Sequence, residues 1–212
     1  MSKYGYVGKE SDIPQQAFKS NAGILSVNDH LALSQEDKLT QFGQLELLET
    51  QSSATAVSSV NFETISEDIY DTHLVVFSNN NNSGYQYLSV RFGNNGSYTS
   101  SGYMYANRFM QSSGGSWSEY KSTSDSEIRI GAYVYRGESA YIYVHDIGNA
   151  GTYTNTTSMM VGVEANNVGT RNMYGMGKYP SKSSFNNIQI LRTAGTTMND
   201  FRASIYGIRR YE

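Results

Sequence analysis

The stretch FRASIYGIRR, residues 201–210, decides how this chain folds. Apolar and polar side chains alternate along most of it, which is the two-residue period of a half-buried β-strand. The sequence ends two residues later. A strand placed at the end of the sequence predicts an all-β unit in which this last segment completes a sheet.

Earlier segments of the chain show the same kind of pattern and are separated by turns rich in Gly, Asn and Ser. They are residues 55–62, 73–77, 85–92, 102–110, 127–135, 140–145, 158–163 and 185–191. They follow one another at intervals of roughly 10 to 20 residues without helical periodicity between them, which is typical of a sandwich or jelly roll. The sequence therefore predicts an antiparallel β-sandwich or jelly roll of about nine strands.

Several connections between these segments can also be predicted. Residues 79–84 (NNNNSG) and 93–97 (GNNGS) are typical of turns, because Asn and Gly tolerate positive φ angles. Residues 127–135 and 140–145 flank RGES and form the best candidate for a hairpin, while residues 174–180 predict a loop that exposes Met and Tyr. The predicted core is Val75, Phe77, Leu88, Val90, Phe92, Ile128, Ile130, Ile142, Val144, Ile188, Ile190 and Ile205.

The first part of the chain, residues 1–50, differs in composition from the rest. Gln, Asp, Glu, Leu and Lys are common there, and strand-like alternation is lacking. The region holds too much apolar surface for a permanently free tail, yet it is too interrupted to build a core of its own. We therefore predict an N-terminal extended arm over residues 1–50, which binds a partner through Phe18, Leu25 and Phe42, and a β-sandwich domain over residues 51–212.

Composition and charge exclude several classes of protein. Charged residues make up 17% of the chain and its formal net charge is −3, whereas an electrostatic nucleic-acid binder would show a basic surplus. The chain has no Cys, so disulfides and thiolate metal sites cannot form. The N-terminus lacks the apolar core of a signal peptide, and no apolar run approaches the length of a membrane span. These features predict synthesis in the cytoplasm, without nucleic-acid or membrane binding.

Residues for catalysis or metal binding are mostly missing from the sequence. His30, His73 and His145 are far apart and lie in unlike contexts, and the nucleophile pattern Gly-x-Ser-x-Gly is absent. Acidic residues between positions 63 and 71 could include a carboxylate pair for glycoside hydrolysis, although a solvated loop with a turn-forming Asp is the favoured interpretation. The sequence therefore predicts a structural or binding protein without a catalytic centre, metal or cofactor.

Aromatic residues leave one binding function open. Tyr133, Tyr135, Tyr141 and Tyr143 alternate along the predicted hairpin, so they could form a ladder on one face. Trp117 follows Gly-Gly-Ser in a predicted flexible turn, where its ring could stack on a sugar. In the favoured interpretation, the tyrosines are core and cross-strand packing pairs and Trp117 is a partly buried anchor of a loop.

Five passages resemble a group of bacteriophage virion structural proteins, namely β-sandwich modules of the tail-fibre, appendage or capsid-decoration type. Residues 60–71 are similar to their opening strand and its Tyr-Asp turn, and residues 88–96 to a strand that ends in an Asn-Gly turn. Residues 185–190 and 204–208 resemble their last two strands. Residues 8–20 resemble the N-terminal segment of marine phage and cyanophage structural proteins.

This resemblance implies a location in the virion and a function in its assembly. The expected partners are other virion proteins, to which the chain would dock through its N-terminal arm, and further copies of the chain, with a homotrimer favoured. Proteins of this group share no catalytic residues and no cofactor that could be transferred to this sequence. The resemblance is also compatible with the alternative function, a carbohydrate-binding module that attaches the particle to a host surface glycan.

Overall fold

A computed structural model of the protein describes residues 16–17, 20–21, 31, 45–114, 117–132, 134–164 and 169–209. The chain divides into two compact units, residues 1–43 and 44–212. In the first unit, strands β1 (Gln16–Ala17) and β2 (Ser20–Asn21) pair antiparallel. The three residues predicted to bind a partner lie outside the described residues: Phe18, Leu25 and Phe42.

The second unit consists of antiparallel strands in two sheets. The strands are β3 (Leu45–Ser53), β4 (Ser59–Phe62), β5 (Tyr70–Gln86), β6 (Leu88–Asn94), β7 (Ser97–Tyr98), β8 (Tyr103–Gln111), β9 (Trp117–Asp125), β10 (Ile128–Arg129), β11 (Val134–His145), β12 (Asn155–Val163), β13 (Thr170–Lys178), β14 (Asn187–Arg192) and β15 (Met198–Arg209). The large sheet has the order β3-β15-β5-β11-β12-β13-β8-β9, and the small sheet has the order β10-β6-β14-β4, with β7 paired to β6. The predicted antiparallel β-sandwich is confirmed.

The core lies between the two sheets, and every residue predicted for it is buried. The large sheet contributes alternate residues such as Val75 and Phe77 of β5, while the small sheet contributes Val90 of β6 and Ile190 of β14. These apolar faces pack together because burial removes them from water.

The last strand, β15, closes the large sheet as its sequence predicted. It lies between β3 and β5 and pairs with both along most of its length. Ala203 and Ile205 point into the core, whereas Arg202 points to solvent. A strand with partners on both sides is an interior element of the sheet, so the end of the described chain belongs to the fold.

The predicted turn at residues 79–84 is wrong, because this segment continues β5. Two side chains of the polar run, Asn79 and Asn82, are buried and hydrogen-bonded to each other, so the run can stay inside a sheet without leaving all of its amides unpaired. The segment 85–92 is also not a single strand. It breaks at Tyr87, where the chain leaves the large sheet at the end of β5 and enters the small sheet as β6.

The predicted hairpin is wrong as well, because its two halves belong to different sheets. Ile128 and Arg129 form β10 of the small sheet, while β11 runs without a turn through RGES between β5 and β12. Gly137 has a φ of +61° at a register shift between Arg136 and Ser139. A β-bulge at this glycine, rather than a reversal of the chain, therefore accommodates the polar residues.

Two other connections were predicted with different success. Asn95 and Gly96 have φ angles of 52° and 76° and join β6 to β7, which confirms that a turn with positive φ lies there. The predicted loop at residues 174–180 is wrong up to Lys178, because this part belongs to β13. Its Tyr174 and Met176 are nevertheless exposed, because they lie on the solvent face of the strand.

The predicted boundary between arm and domain, after residue 50, falls inside β3. Residues 45–50 pair with β15, from Leu45 opposite Ile208 to Thr50 opposite Ser204. The structure divides the chain earlier, between residues 43 and 44. The six residues at the end of the predicted arm thus supply an edge strand of the large sheet.

Candidate functional site: the outer face of the large sheet

The most unusual feature of the described surface is the outer face of the large sheet, which points away from the core. The strand register places Val76, Tyr141, Met159 and Tyr174 in one row across β5, β11, β12 and β13. Further apolar side chains lie next to this row, and each member of the set exposes between 39% and 64% of its surface. We call this set the outer platform: Val76, Met110, Trp117, Tyr141, Met159, Val161, Tyr174 and Met176.

Strand alternation explains why these side chains are exposed. On β11, Ile142 points inward and Tyr141 outward, and on β12 Met160 points inward and Met159 outward. Both faces of these strands are therefore apolar, although only the inner face is covered by the small sheet. Contiguous exposed apolar surface of this kind is typical of an interaction site.

The predicted tyrosine ladder exists in part. Tyr141 and Tyr143 pack edge to face, with 6.2 Å between ring centroids, and Tyr143 stacks on His145 at 6.3 Å. The Tyr141 hydroxyl donates a hydrogen bond to Met159 Sδ over 3.1 Å. The ladder thus runs along one strand rather than across a hairpin. Tyr133 and the side chain of Tyr135 lie outside the described residues.

Trp117 lies on the same face and begins β9, which is an edge strand of the large sheet. It therefore starts a strand, whereas the sequence predicted a flexible turn. Its ring packs edge to face on Tyr174 at 6.3 Å, and the guanidinium carbon of Arg108 lies 4.7 Å from its ring centroid. These contacts hold the indole against the sheet while 48% of the residue stays exposed.

The charged groups of this face are mainly basic, although the whole chain carries a formal charge of −3. The strand register places four cations and one anion on this face. The cations are Arg108, Lys121, Lys178 and Arg202, and the anion is Glu119. Glu119 lies 3.9 Å from Lys121. A surface rich in Tyr, Trp, Met and Arg and poor in carboxylates has the composition of protein–protein interface cores.

Sequence reasoning found part of this platform and missed the rest. Trp117 and Tyr141 were identified from their residue types, and Tyr174 and Met176 were predicted to be exposed, whereas Val76 and Met159 were not identified. The missed residues lie in runs such as LVVF and SMMVGV, which are apolar at consecutive positions and are therefore typical of strands covered on both faces. The two methionines of SMMVGV could have indicated an exposed binding surface, since Met is common at adaptable interfaces.

A buried polar cluster lies inside the sandwich and connects its two sheets. Glu138 of β11 and Arg192 of β14 form an ion pair in which both side chains are fully buried. Arg192 also donates a hydrogen bond to the carbonyl oxygen of Gln86 over 2.6 Å. Burial raises the pKa of the Glu138 carboxyl to about 7, although the charge of Arg192 opposes this shift. The pair joins β11 of the large sheet to β14 of the small sheet.

The remaining candidates from the sequence are dispersed. Glu63 lines an open groove together with Glu46 and Glu49 of β3, and Tyr70 donates a hydrogen bond to Glu46 over 2.6 Å. His73 is buried, where its Nε2 donates to the Ile65 carbonyl over 2.6 Å, and burial lowers its pKa. His30 lies outside the described residues.

In the part of the chain that the structure describes, His, Asp and Glu side chains do not gather in groups of three or more that could hold a metal ion. In the same part, helices of the length and hydropathy of a membrane span are not found.

Comparisons with known proteins give little similarity. No protein-family model matches the chain, and no curated protein matches it. A protein of unknown function from Shewanella oneidensis MR-1 is 9% identical with a TM-score of 0.20, over 91% of this chain and 100% of that chain. VP17, a capsid protein of bacteriophage P23-77, is 8% identical with a TM-score of 0.14, over 76% of this chain and 98% of that chain. A phage capsid protein is thus a weak structural neighbour, and TM-scores this low carry no argument about function.

Proposed function

We propose that this protein is a structural, non-enzymatic component of a phage virion, of the tail-fibre, appendage or capsid-decoration type. It docks on the particle through its N-terminal arm and contacts neighbouring proteins through the outer platform. The observation that carries this proposal is the platform itself, an exposed apolar and aromatic face on an antiparallel sandwich. The resemblance of five sequence passages to virion proteins supports a phage virion as the assembly in question.

The physical reason for assigning assembly to the platform is the cost of leaving it in water. Covering apolar surface contributes about 25 cal/mol per Å², and large aromatic side chains such as Trp117 and Tyr174 supply most of such area at interfaces. The platform lies on β-strands that are hydrogen-bonded to neighbours, so little ordering entropy is lost when a partner binds. A rigid surface of this kind suits stable association between proteins.

Light scattering tests this proposal through two charge substitutions at the centre of the platform. We expect the wild-type chain to form a homo-oligomer, with a trimer favoured, at tens of micromolar. The double variant Met159→Glu/Tyr174→Glu should remain monomeric, because it places carboxylates in the contact. Ser181→Glu, in the exposed connection between β13 and β14, is the matched control and should assemble as the wild type does. Equal assembly of all three proteins would remove the platform from the proposal.

The alternative function is a carbohydrate-binding module for host attachment, and one observation favours it. Trp117, Tyr141 and Tyr143 all lie on the outer face, where exposed rings could stack on sugars. A glycan array separates the two functions. Specific binding that is lost in Trp117→Ala would favour attachment, whereas absence of binding by a protein that assembles would favour the structural role.

A further inference from the structure

We infer that the edge strand β9 of one copy pairs antiparallel with β9 of a second copy, about a two-fold axis that passes through Tyr120. The inference goes beyond the proposed function, because it names a second contact surface, at the edge of the large sheet, and the occupant of that surface. The contact joins two eight-stranded sheets into one continuous sheet, with both outer platforms on the same side.

The edge of β9 provides the backbone groups for this pairing. β9 stands last in the strand order of the large sheet, and in the part of the chain that the structure describes it pairs with β8 alone. The N–H and C=O groups on the outer side of such an edge are a template for another strand. The sequence WSEYKSTSD holds neither Pro nor Gly, and its pairing with β8 is regular over residues 117–122. These residues can therefore accept a partner along their length.

Charge gives the edge a self-complementary pattern. Glu119 and Lys121 lie two residues apart on the outer face, with side chains that are 63% and 77% exposed. An axis at Tyr120 places Glu119 of each copy directly opposite Lys121 of the other, so the pairing brings opposite charges together twice. Opposite charges at directly paired positions stabilise antiparallel strands, whereas like charges destabilise them.

The same charges select one register. An axis between two residues would bring the outer face of one copy beside the core-facing side of the other, because a slip of one residue reverses the faces. An axis at Glu119 would place this carboxylate opposite its equivalent in the second copy, and an axis at Lys121 would do the same with the ammonium group. Within the regular part of β9, Tyr120 is therefore the position that keeps the outer faces together and sets opposite charges against each other.

An aromatic pair on the inner side of the strand supports this axis. The ring of Tyr120 stacks on Phe109 with 5.0 Å between centroids and packs edge to face on Tyr87 at 5.1 Å. The axis places Tyr120 opposite Tyr120 of the second copy, where two aromatic rings form a stabilising cross-strand pair. Because the neighbouring rings hold Tyr120 in position, little ordering entropy is lost on pairing.

The size of the contact indicates when it forms. One strand edge buries less surface than the interfaces of stable complexes, so the pairing is weak between single copies. It becomes stronger where the outer platform holds several copies together, because each assembly then presents several edges at once. The pairing therefore links copies that are already assembled, and its detection requires a method that traps weak pairs.

Engineered cysteines trap the pair in the full-length protein, because the chain has no Cys of its own. The inferred register sets Ser118 of one copy opposite Ser122 of the other, with about 4.5 to 5.5 Å between Cα atoms, which a disulfide can bridge. Two copies of Ser118 would lie four residues apart along the strands, or roughly 13 Å. Ser118→Cys and Ser122→Cys are mixed, oxidised and digested, and the linked peptides are identified by mass spectrometry. Ser181→Cys replaces Ser118→Cys in the control mixture.

We expect 118–122 links to be several-fold more abundant than 118–118 links and than the links in the control mixture. Lys121→Glu, introduced into both cysteine variants, should lower the yield several-fold, because it sets Glu opposite Glu. The exchange Glu119→Lys/Lys121→Glu restores opposite charges and should restore the yield, which separates the charge pattern from any damage that Lys121→Glu does to folding. A yield that ignores the single substitution, or that the exchange does not restore, would overturn the inference. Links between 118 and 122 that are no more abundant than 118–118 links would also overturn it.

The outcome for β9 can be told apart from the outcome for the platform. If 118–122 links do not exceed the control while Met159→Glu/Tyr174→Glu abolishes assembly, the inference fails and the proposed structural role stands. If the links form with the expected charge dependence while Met159→Glu/Tyr174→Glu assembles as the wild type does, the pairing of β9 stands and the platform is removed from the proposed function.

Discussion

At the scale of single residues, the buried ion pair of Glu138 and Arg192 is the feature that should respond most to pH. Both side chains are fully buried, and the removal of two charges from water costs more than their attraction returns in many proteins. The same balance is visible in the pKa values, because burial raises that of Glu138 and lowers that of Arg192. A buried pair of this kind is therefore weak evidence for added stability.

This pair makes the stability of the protein depend on pH in a defined direction. The pKa of Glu138 rises from 4.5 to about 7 on folding, so between these values the folded state binds more protons than the unfolded state. The contribution of Glu138 to the free energy of unfolding should therefore fall as pH rises from 5 to 7. Denaturant unfolding of the wild type and of Glu138→Gln, whose side chain does not titrate, measures this contribution as a difference.

We expect the wild type to lose stability relative to Glu138→Gln across this range of pH, and the difference to level off above pH 7. A wild type that gains stability relative to the variant as pH rises would show the reverse, namely that the attraction of Arg192 outweighs the burial of the carboxylate.

At the scale of elements, β15 has the most demanding position in the fold. It is the partner of β5 on one side and of the edge strand β3 on the other. Its loss would expose the backbone edge of β5 and leave β3 without a partner in the described sheet. Unpaired edges of this kind lead to aggregation rather than to a smaller folded domain.

A chain that ends after Arg202 should therefore fail to fold in soluble form. It loses the buried Ala203 and Ile205 together with most of the pairing of β15. A chain that ends after Arg209 keeps all of β15 and should fold like the full-length protein. Expression yield and cooperative thermal unfolding by circular dichroism measure both. Soluble, cooperative unfolding of the shorter chain would mean that β5 can end the sheet.

The elements also show which parts of the fold the sequence can predict. The alternation in residues 201–210 predicted β15 because one side of that strand is buried and the other is not. Tyr87, where the chain passes from one sheet to the other, has no local signal, because the alternation continues through it. Prediction is limited in the same way at Gly137, because a glycine in a polar stretch suits a turn and a β-bulge equally. Only the pairing of β11 with β5 and β12 decides between them.

At the scale of the whole molecule, the site was harder to predict than the core. The predicted core residues are all buried, since apolar residues at alternate positions need one common interior. The platform depends instead on the second face of the large sheet, whose apolar side chains are exposed among the described residues. A sequence such as SMMVGV is compatible with a strand covered on both faces or on one, so Met159 and Val161 could be assigned to an exposed surface only after the two sheets had been placed.

The fluorescence of Trp117, the only tryptophan of the chain, reports directly on whether assembly covers the platform. The residue is 48% exposed in the single chain, so its emission should resemble that of a solvated indole at low concentration. Emission is recorded alongside light scattering over a dilution series of the wild type and of Met159→Glu/Tyr174→Glu. We predict that the wild-type emission moves to shorter wavelength and resists iodide quenching as assembly proceeds, while the double variant changes in neither respect. Assembly of the wild type without any change in the emission or quenching of Trp117 would contradict the account, because the contact would then lie on another surface.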